Sequence, residues 1–173
     1  MPLTPFHMGA ALIVKPGFDR HFSVLTFGVA QVVMDIEPGI GMLTGAEVLH
    51  GPSHTVLGAI AIGFLVMLMA PGIGRVLLKK WNREVIHHKL PARLLQPEIV
   101  PRMAVLTGAF FGSLSHLALD SLMHHDIHPL RPFSNANPLL GLMSHDAVYQ
   151  LCVVSGVLGA LLWVALNWVG RSR

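Results

Sequence analysis

Ser115-His116-Leu117-Ala118-Leu119-Asp120 places an imidazole and a carboxylate four residues apart inside an apolar run, Met103 to Leu122. At that spacing both side chains leave one face of a helix. An ionisable pair inside a membrane-length segment is costly and marks a functional site by default. A histidine with a carboxylate is a common first coordination shell for zinc and related metals. A hydrogen-bonded His–Asp packing pair is the plainer alternative, so the rest of the chain must supply further donors. Asp35-Ile36-Glu37-Pro38 offers two carboxylates at what reads as a helix C-terminal end, where acids are disfavoured and a cation would compensate. His50-Gly51-Pro52-Ser53-His54-Thr55 offers two imidazoles. Pro52 leaves His50 in the preceding loop and makes His54 the helix-borne one. His124-His125-Asp126-Ile127-His128 is dense enough for metal or proton handling, and Arg131 could grip a phosphate or carboxylate. The alternatives there are a solvated loop, and a salt bridge from Arg131 to Asp126 or Asp146.

Five apolar segments must position these groups: about 5–14, 22–36, 53–70, 102–123 and 146–169. The first is half a bilayer long, and the last two reach the roughly 20 residues of a spanning helix. Pro38 predicts that the second ends near Asp35 or Ile36. Pro71-Gly72 ends the third, and Ser144 is a candidate N-cap for the fifth.

Composition agrees with a membrane setting. Of 173 residues 53% are hydrophobic and 12% charged, with a mean hydropathy of +0.60, against about 25% charged in a soluble domain. The single Cys152 excludes an intrachain disulfide and any multi-cysteine zinc motif. The expectation is an all-α, compact transmembrane bundle of about five segments forming one domain over 1–173, with a basic cytoplasmic loop at 71–101. It is an integral protein of a bacterial or archaeal inner membrane. Membrane lipids are its expected partners; nucleic-acid binding is not expected, and the oligomeric state is open.

Eleven of the twelve basic residues fall in three regions: Lys15 and Arg20, Arg75 to Arg102, and Arg171 with Arg173. An up-and-down chain puts all three on one side, the cytoplasmic side by the positive-inside rule. The other side then collects Arg131, Asp35, Glu37, Asp120, Asp126 and Asp146, and eight of the eleven histidines: His7, His50, His54, His116, His124, His125, His128 and His145.

In this order the motifs resemble the family of membrane-bound, metal-dependent hydrolases that includes the LexA-binding inner-membrane protein. That family carries an N-terminal Thr-His, a Pro-Asp-x-Asp helix end, His-Arg-Gly-x-Thr-His-Ser, and Ser-His-x-x-x-Asp followed by a Trp-Pro-Phe turn. Here Thr4-Pro5-Phe6-His7, Met34-Asp35-Ile36-Glu37, His50 to Thr55, Ser115 to Asp120 and Arg131-Pro132-Phe133-Ser134 stand in those places. Met replaces Pro, Glu replaces Asp, and the Arg after the first His is missing.

The residues and the resemblance together imply a metal-dependent hydrolase with its site at the outer membrane face. His7, Asp35, His54, His116 and Asp120 would form the metal shell. Glu37 is a further ligand or the general base, and Arg131 or the His124–His128 cluster would orient an anionic group. His50, His124, His125 and His128 are additional candidate ligands. One or two divalent ions are expected, zinc before manganese, with a phosphoester or lipid-linked substrate. A metal or proton transporter would need ionisable groups along a path through the bilayer, whereas these gather at one end. A non-enzymatic scaffold with a structural metal is the third reading, separable by an open coordination position.

Overall fold

The computed structural model describes residues 6–169, whose regular secondary structure is all helical. Thr4, Pro5, Arg171 and Arg173 lie outside the described residues. The α-helices are α1 (Met8–Phe18), α2 (Val24–Met34), α3 (Ile36–Thr44), α4 (Val56–His87), α5 (Arg102–Met123) and α6 (His145–Val169). Four stretches are long and apolar enough to cross a membrane: Val24–Thr44, Val56–His87, Arg102–Met123 and His145–Leu166. The 11 residues of α1 reach only about 16 Å, half a bilayer.

Helices α2, α4 and α5 pack on one another, and α1 lies along α6. The α2–α5 seam is closed by small residues. A Cβ at Gly112 would stand 2.7 Å from Ala30 Cβ and 3.0 Å from Phe27 O, so glycine is what lets the two backbones approach. That approach lets Gln31 of α2 hydrogen-bond the Gly112 carbonyl of α5 at 2.9 Å. Gly9 does the same for α1, since a Cβ there would strike the Cys152 carbonyl of α6. The outer faces of α4 and α6 leave Leu57, Phe64, Leu68, Val154, Leu161 and Leu166 exposed, the surface a lipid phase would cover.

Three boundaries differ from the sequence expectation. The second segment does break at Asp35, which caps α2, but a new helix starts at once. Pro38 is tolerated because it falls in the first turn of α3, where backbone N–H groups have no intrahelical acceptor anyway. Glu37 therefore sits near a helix N-terminus, where an acid is favourable, and not at a C-terminal end. The third segment does not stop at Pro71-Gly72: α4 runs through Pro71 to His87. A proline removes one helical hydrogen bond without ending the helix here, and Gly74 and Val85 beyond it are buried in the bundle. Finally, Pro52–His54 forms a short 3-10 turn, so His54 precedes its helix; Thr55 is the N-cap of α4, accepting from Gly58 N at 2.9 Å. The fourth and fifth segments match α5 and α6, and Ser144 Oγ accepts from Ala147 N at 3.2 Å at the start of α6.

Lys15 and Arg20 line one groove with Leu78, Gln96, Ile99 and Pro101, so the basic segments before α2 and after α4 share an end of the bundle. His7, Asp35, His54 and the C-terminal half of α5 meet nearer the other end.

Candidate metal centre

The centre is built on α5. His116 and Asp120 sit one turn apart on its buried face, and His116 lies about 10 Å from the Met123 end. Three joints bring the other donors. His7 precedes α1, Asp35 links α2 to α3, and His54 sits on the 3-10 turn before α4. His116 Nε2 stands 3.1 Å from Asp120 Oδ2 and 3.3 Å from Asp35 Oδ1, and His54 Nε2 is 3.5 Å from Asp120 Oδ2. Donor atoms of Asp35, His54, His116 and Asp120 all lie within 4.8 Å of one another. His7 flanks this group on the far side of Asp120, with its Nε2 3.4 Å from Oδ1. It also places Nδ1 3.3 Å from His116 Nδ1.

These spacings fit a cation better than hydrogen bonds. Tetrahedral ligands at about 2.0–2.1 Å from one zinc ion stand about 3.3 Å apart. A good N–H···O bond is instead roughly 2.7–3.2 Å and aligned. Here His7 Nε2, His54 Nε2, His116 Nε2 and Asp120 Oδ1 are all buried without a hydrogen-bond partner. Such a cluster of orphaned buried atoms is rare and each carries a desolvation cost. A single proton on His116 would relieve one contact and leave the others. Burial also pushes His7 and His54 below the usual histidine range, so both rings are neutral lone-pair donors at pH 7.

What orients the rings is equally specific. Gln31 Nε2 donates to the Gly112 carbonyl, which turns Gln31 Oε1 towards His116 Nδ1 at 2.7 Å. His116 must then carry its proton on Nδ1 and present Nε2 bare to the centre. His54 is fixed the same way. Its Nδ1 donates to Ser53 Oγ at 2.8 Å, and Ser53 passes its own proton in a short hydrogen bond to Glu37 Oε2. Glu37 also accepts from Ser53 N at 2.9 Å. Gln31 and Ser53 escaped the sequence reading. The available signal was Gln31 itself, a lone amide in an apolar run one helical turn before Asp35.

The remaining candidates fall around this core. Glu37 stands behind His54, joined through Ser53, and is not among the grouped donors. His50 lies in the loop, and its Nδ1 is 2.9 Å from both oxygens of Asp126. Asp126 also accepts from Leu49 N and His50 N. Burial opposes its charge, but these bonds win and hold its carboxyl below the usual range. His124 has a buried, unpartnered Nε2 and forms a second donor group with His50 and Asp120. His125 is exposed. His128 Nδ1 donates to the Asn135 carbonyl at 2.7 Å, and His145 Nε2 to the Met123 carbonyl at 2.9 Å. Arg131 is exposed, with Nε donating to Asn135 Oδ1 at 2.8 Å, and it lines a shallow cavity with Gly51, Pro52, Thr55 and Leu57 beside the His54 turn.

The residues thus gather into two groups able to hold a metal ion, inside an integral inner-membrane protein. No curated protein and no solved structure matches the chain. A family model matches residues 8–172, nearly its whole length, and the chain belongs to the YdjM inner membrane protein family.

Proposed function

We propose that this protein is a metal-dependent hydrolase acting at the membrane surface, on a phosphoester or lipid-linked substrate. The observation that carries the reading is the convergence of the Nε2 atoms of His7, His54 and His116 on the carboxylates of Asp120 and Asp35 at 3.1–3.5 Å, with all three nitrogens buried and without a hydrogen-bond partner. Asp35, His54, His116 and Asp120 hold the ion, with His7 as a flanking donor. Zinc suits this nitrogen-and-carboxylate set, and manganese is the second choice. A bound divalent ion supplies Lewis acidity and a nucleophile that ionises near neutral pH. Gln31 and the Ser53–Glu37 pair keep His116 and His54 in the ligating tautomer. Asp35, whose side chain is 24% exposed against 4% for Asp120, marks the side from which substrate and water approach. Arg131, which lines the cavity beside the His54 turn, would orient an anionic headgroup. The site faces the outside, opposite the end that carries the basic segments.

Exposure of Asp35 favours catalysis over a structural metal, because a closed structural site has no open position. The test is metal analysis and hydrolase assay of detergent-purified protein. His116→Ala and Asp120→Ala should each remove the metal and any phosphoesterase activity while the protein stays in the membrane. Wild-type protein that binds zinc but hydrolyses no phosphoester, ester or amide would be a metal-stabilised scaffold. Protein that binds neither zinc nor manganese would sink the reading.

A further inference from the structure

We propose that the centre holds two divalent ions that share Asp120, the second bound by His50 and His124 and oriented by Asp126. The proposal rests on the reading of Asp35, His54, His116 and Asp120 as a metal centre and adds a second site to it. His50, His124 and Asp120 each bring a donor atom within 4.8 Å of the others. His124 follows α5 directly and is extended, with φ −106 and ψ 123, so the chain leaves the helix there and folds the ring beside His50. The two rings lie 4.6 Å apart and are tilted by only 32°.

The protonation pattern points the lone pairs inward. Asp126 takes the proton on His50 Nδ1, leaving Nε2 bare, in the carboxylate–histidine arrangement that commonly backs a metal ligand. His124 Nε2 is buried with no partner. A buried imidazole nitrogen with no partner beside a carboxylate is poorly satisfied without a cation. Asp120 has the capacity to serve both sites. Oδ2 faces His54 and His116, while Oδ1 is buried with no hydrogen bond and meets only His7 Nε2, at 3.4 Å, among the ion pairs.

Charge gives an independent check. Asp35, Glu37, Asp120 and Asp126 each touch a histidine of the two groups or the serine that orients one. Fully ionised, those four carboxylates would carry −4, the charge that two divalent ions would match. Two-metal centres with ions about 3.5–4 Å apart are the usual device for phosphoester displacement, clamping the attacking and leaving oxygens together.

The experiment is manganese loading of the full-length protein in detergent, read by metal content and by electron paramagnetic resonance. Wild type should bind about two ions and show the multiline signal of an exchange-coupled pair. His124→Ala and His50→Gln should each bind about one ion with the six-line signal of isolated manganese. Both variants should elute from size exclusion as wild type does, and His50→Gln guards against a fold lost through the alanine. Asp120→Ala should lose both ions. A wild type binding one ion with a six-line signal, unchanged by His124→Ala, would overturn the second site and leave the first standing. A wild type binding none would overturn both.

Discussion

Replacing Gln31 by leucine tests the claim that the centre is set by what lies behind its ligands. Gln31 is fully buried and touches no metal position; its Oε1 accepts the proton of His116 Nδ1 at 2.7 Å. In Gln31→Leu the metal-free protein has an escape. The proton can move to His116 Nε2, where Asp120 Oδ2 lies 3.1 Å away and accepts it. The metal-bound protein has no such escape, because Nε2 is committed and the proton must stay on an Nδ1 left with only the longer contact to His7 Nδ1 at 3.3 Å. An unsatisfied buried donor costs about 1–3 kcal/mol, and that cost falls on the bound state alone. Metal affinity should therefore drop about 10–100-fold. Gln31→Glu keeps the acceptor and should stay within about threefold of wild type. Zinc affinity is measured in detergent by competition with a chromophoric chelator. Gln31→Leu with wild-type affinity would refute the tautomer argument. Equal losses in both variants would refute it too, pointing to damaged α2–α5 packing through Gly112.

Glu37→Gln and Ser53→Ala should each weaken zinc binding about 10-fold, and the double variant no more than either, since they act in one chain on His54. A Glu37→Gln protein with full metal affinity and slow turnover would instead make Glu37 the general base. In a Cys152→Ser background, an impermeant thiol reagent applied from outside should label Glu47→Cys and spare Lys89→Cys. The reverse pattern would invert the topology.

What sequence could show was set by where each donor sits. His116 and Asp120 were legible because both lie on a regular helix, where spacing alone fixes the face. Their convergence with Asp35 and His54 followed from sorting charges to one end, a property of topology and not of packing. The joints were less legible. Helix α3 was hidden because a proline reads as a stop unless it falls in a first turn, and that depends on where the preceding helix breaks. Continuation of α4 through Pro71 was hidden for the related reason that a proline costs a helix one hydrogen bond and need not end it. The orienting partners were illegible for a different cause. Gln31 reaches His116 from 85 residues away, and Glu37 reaches His54 only through Ser53. Such contacts have no spacing signature.

The arrangement also explains why the donors sit at helix ends. Only α5 contributes two, and every other donor comes from a joint: the chain before α1, the α2–α3 break, or the turn before α4. A joint can aim a side chain along a helix axis, whereas a helix interior aims it only sideways. Aimed this way, side chains near one end of the bundle reach a common point below the ends of the spanning helices, and α5 alone must carry ionisable groups on its length. The membrane penalty for polar side chains is thereby confined to one helix face, and that face is covered by α2, α4 and the start of α1. The glycines follow from the same geometry. A shallow buried centre fed from joints requires α2 and α5 to touch, and Gly112 is where they do. Its carbonyl then holds Gln31, which holds His116. Helix packing and histidine tautomer are thus one connected structure, so a change in the α2–α5 seam is a change in the candidate metal centre.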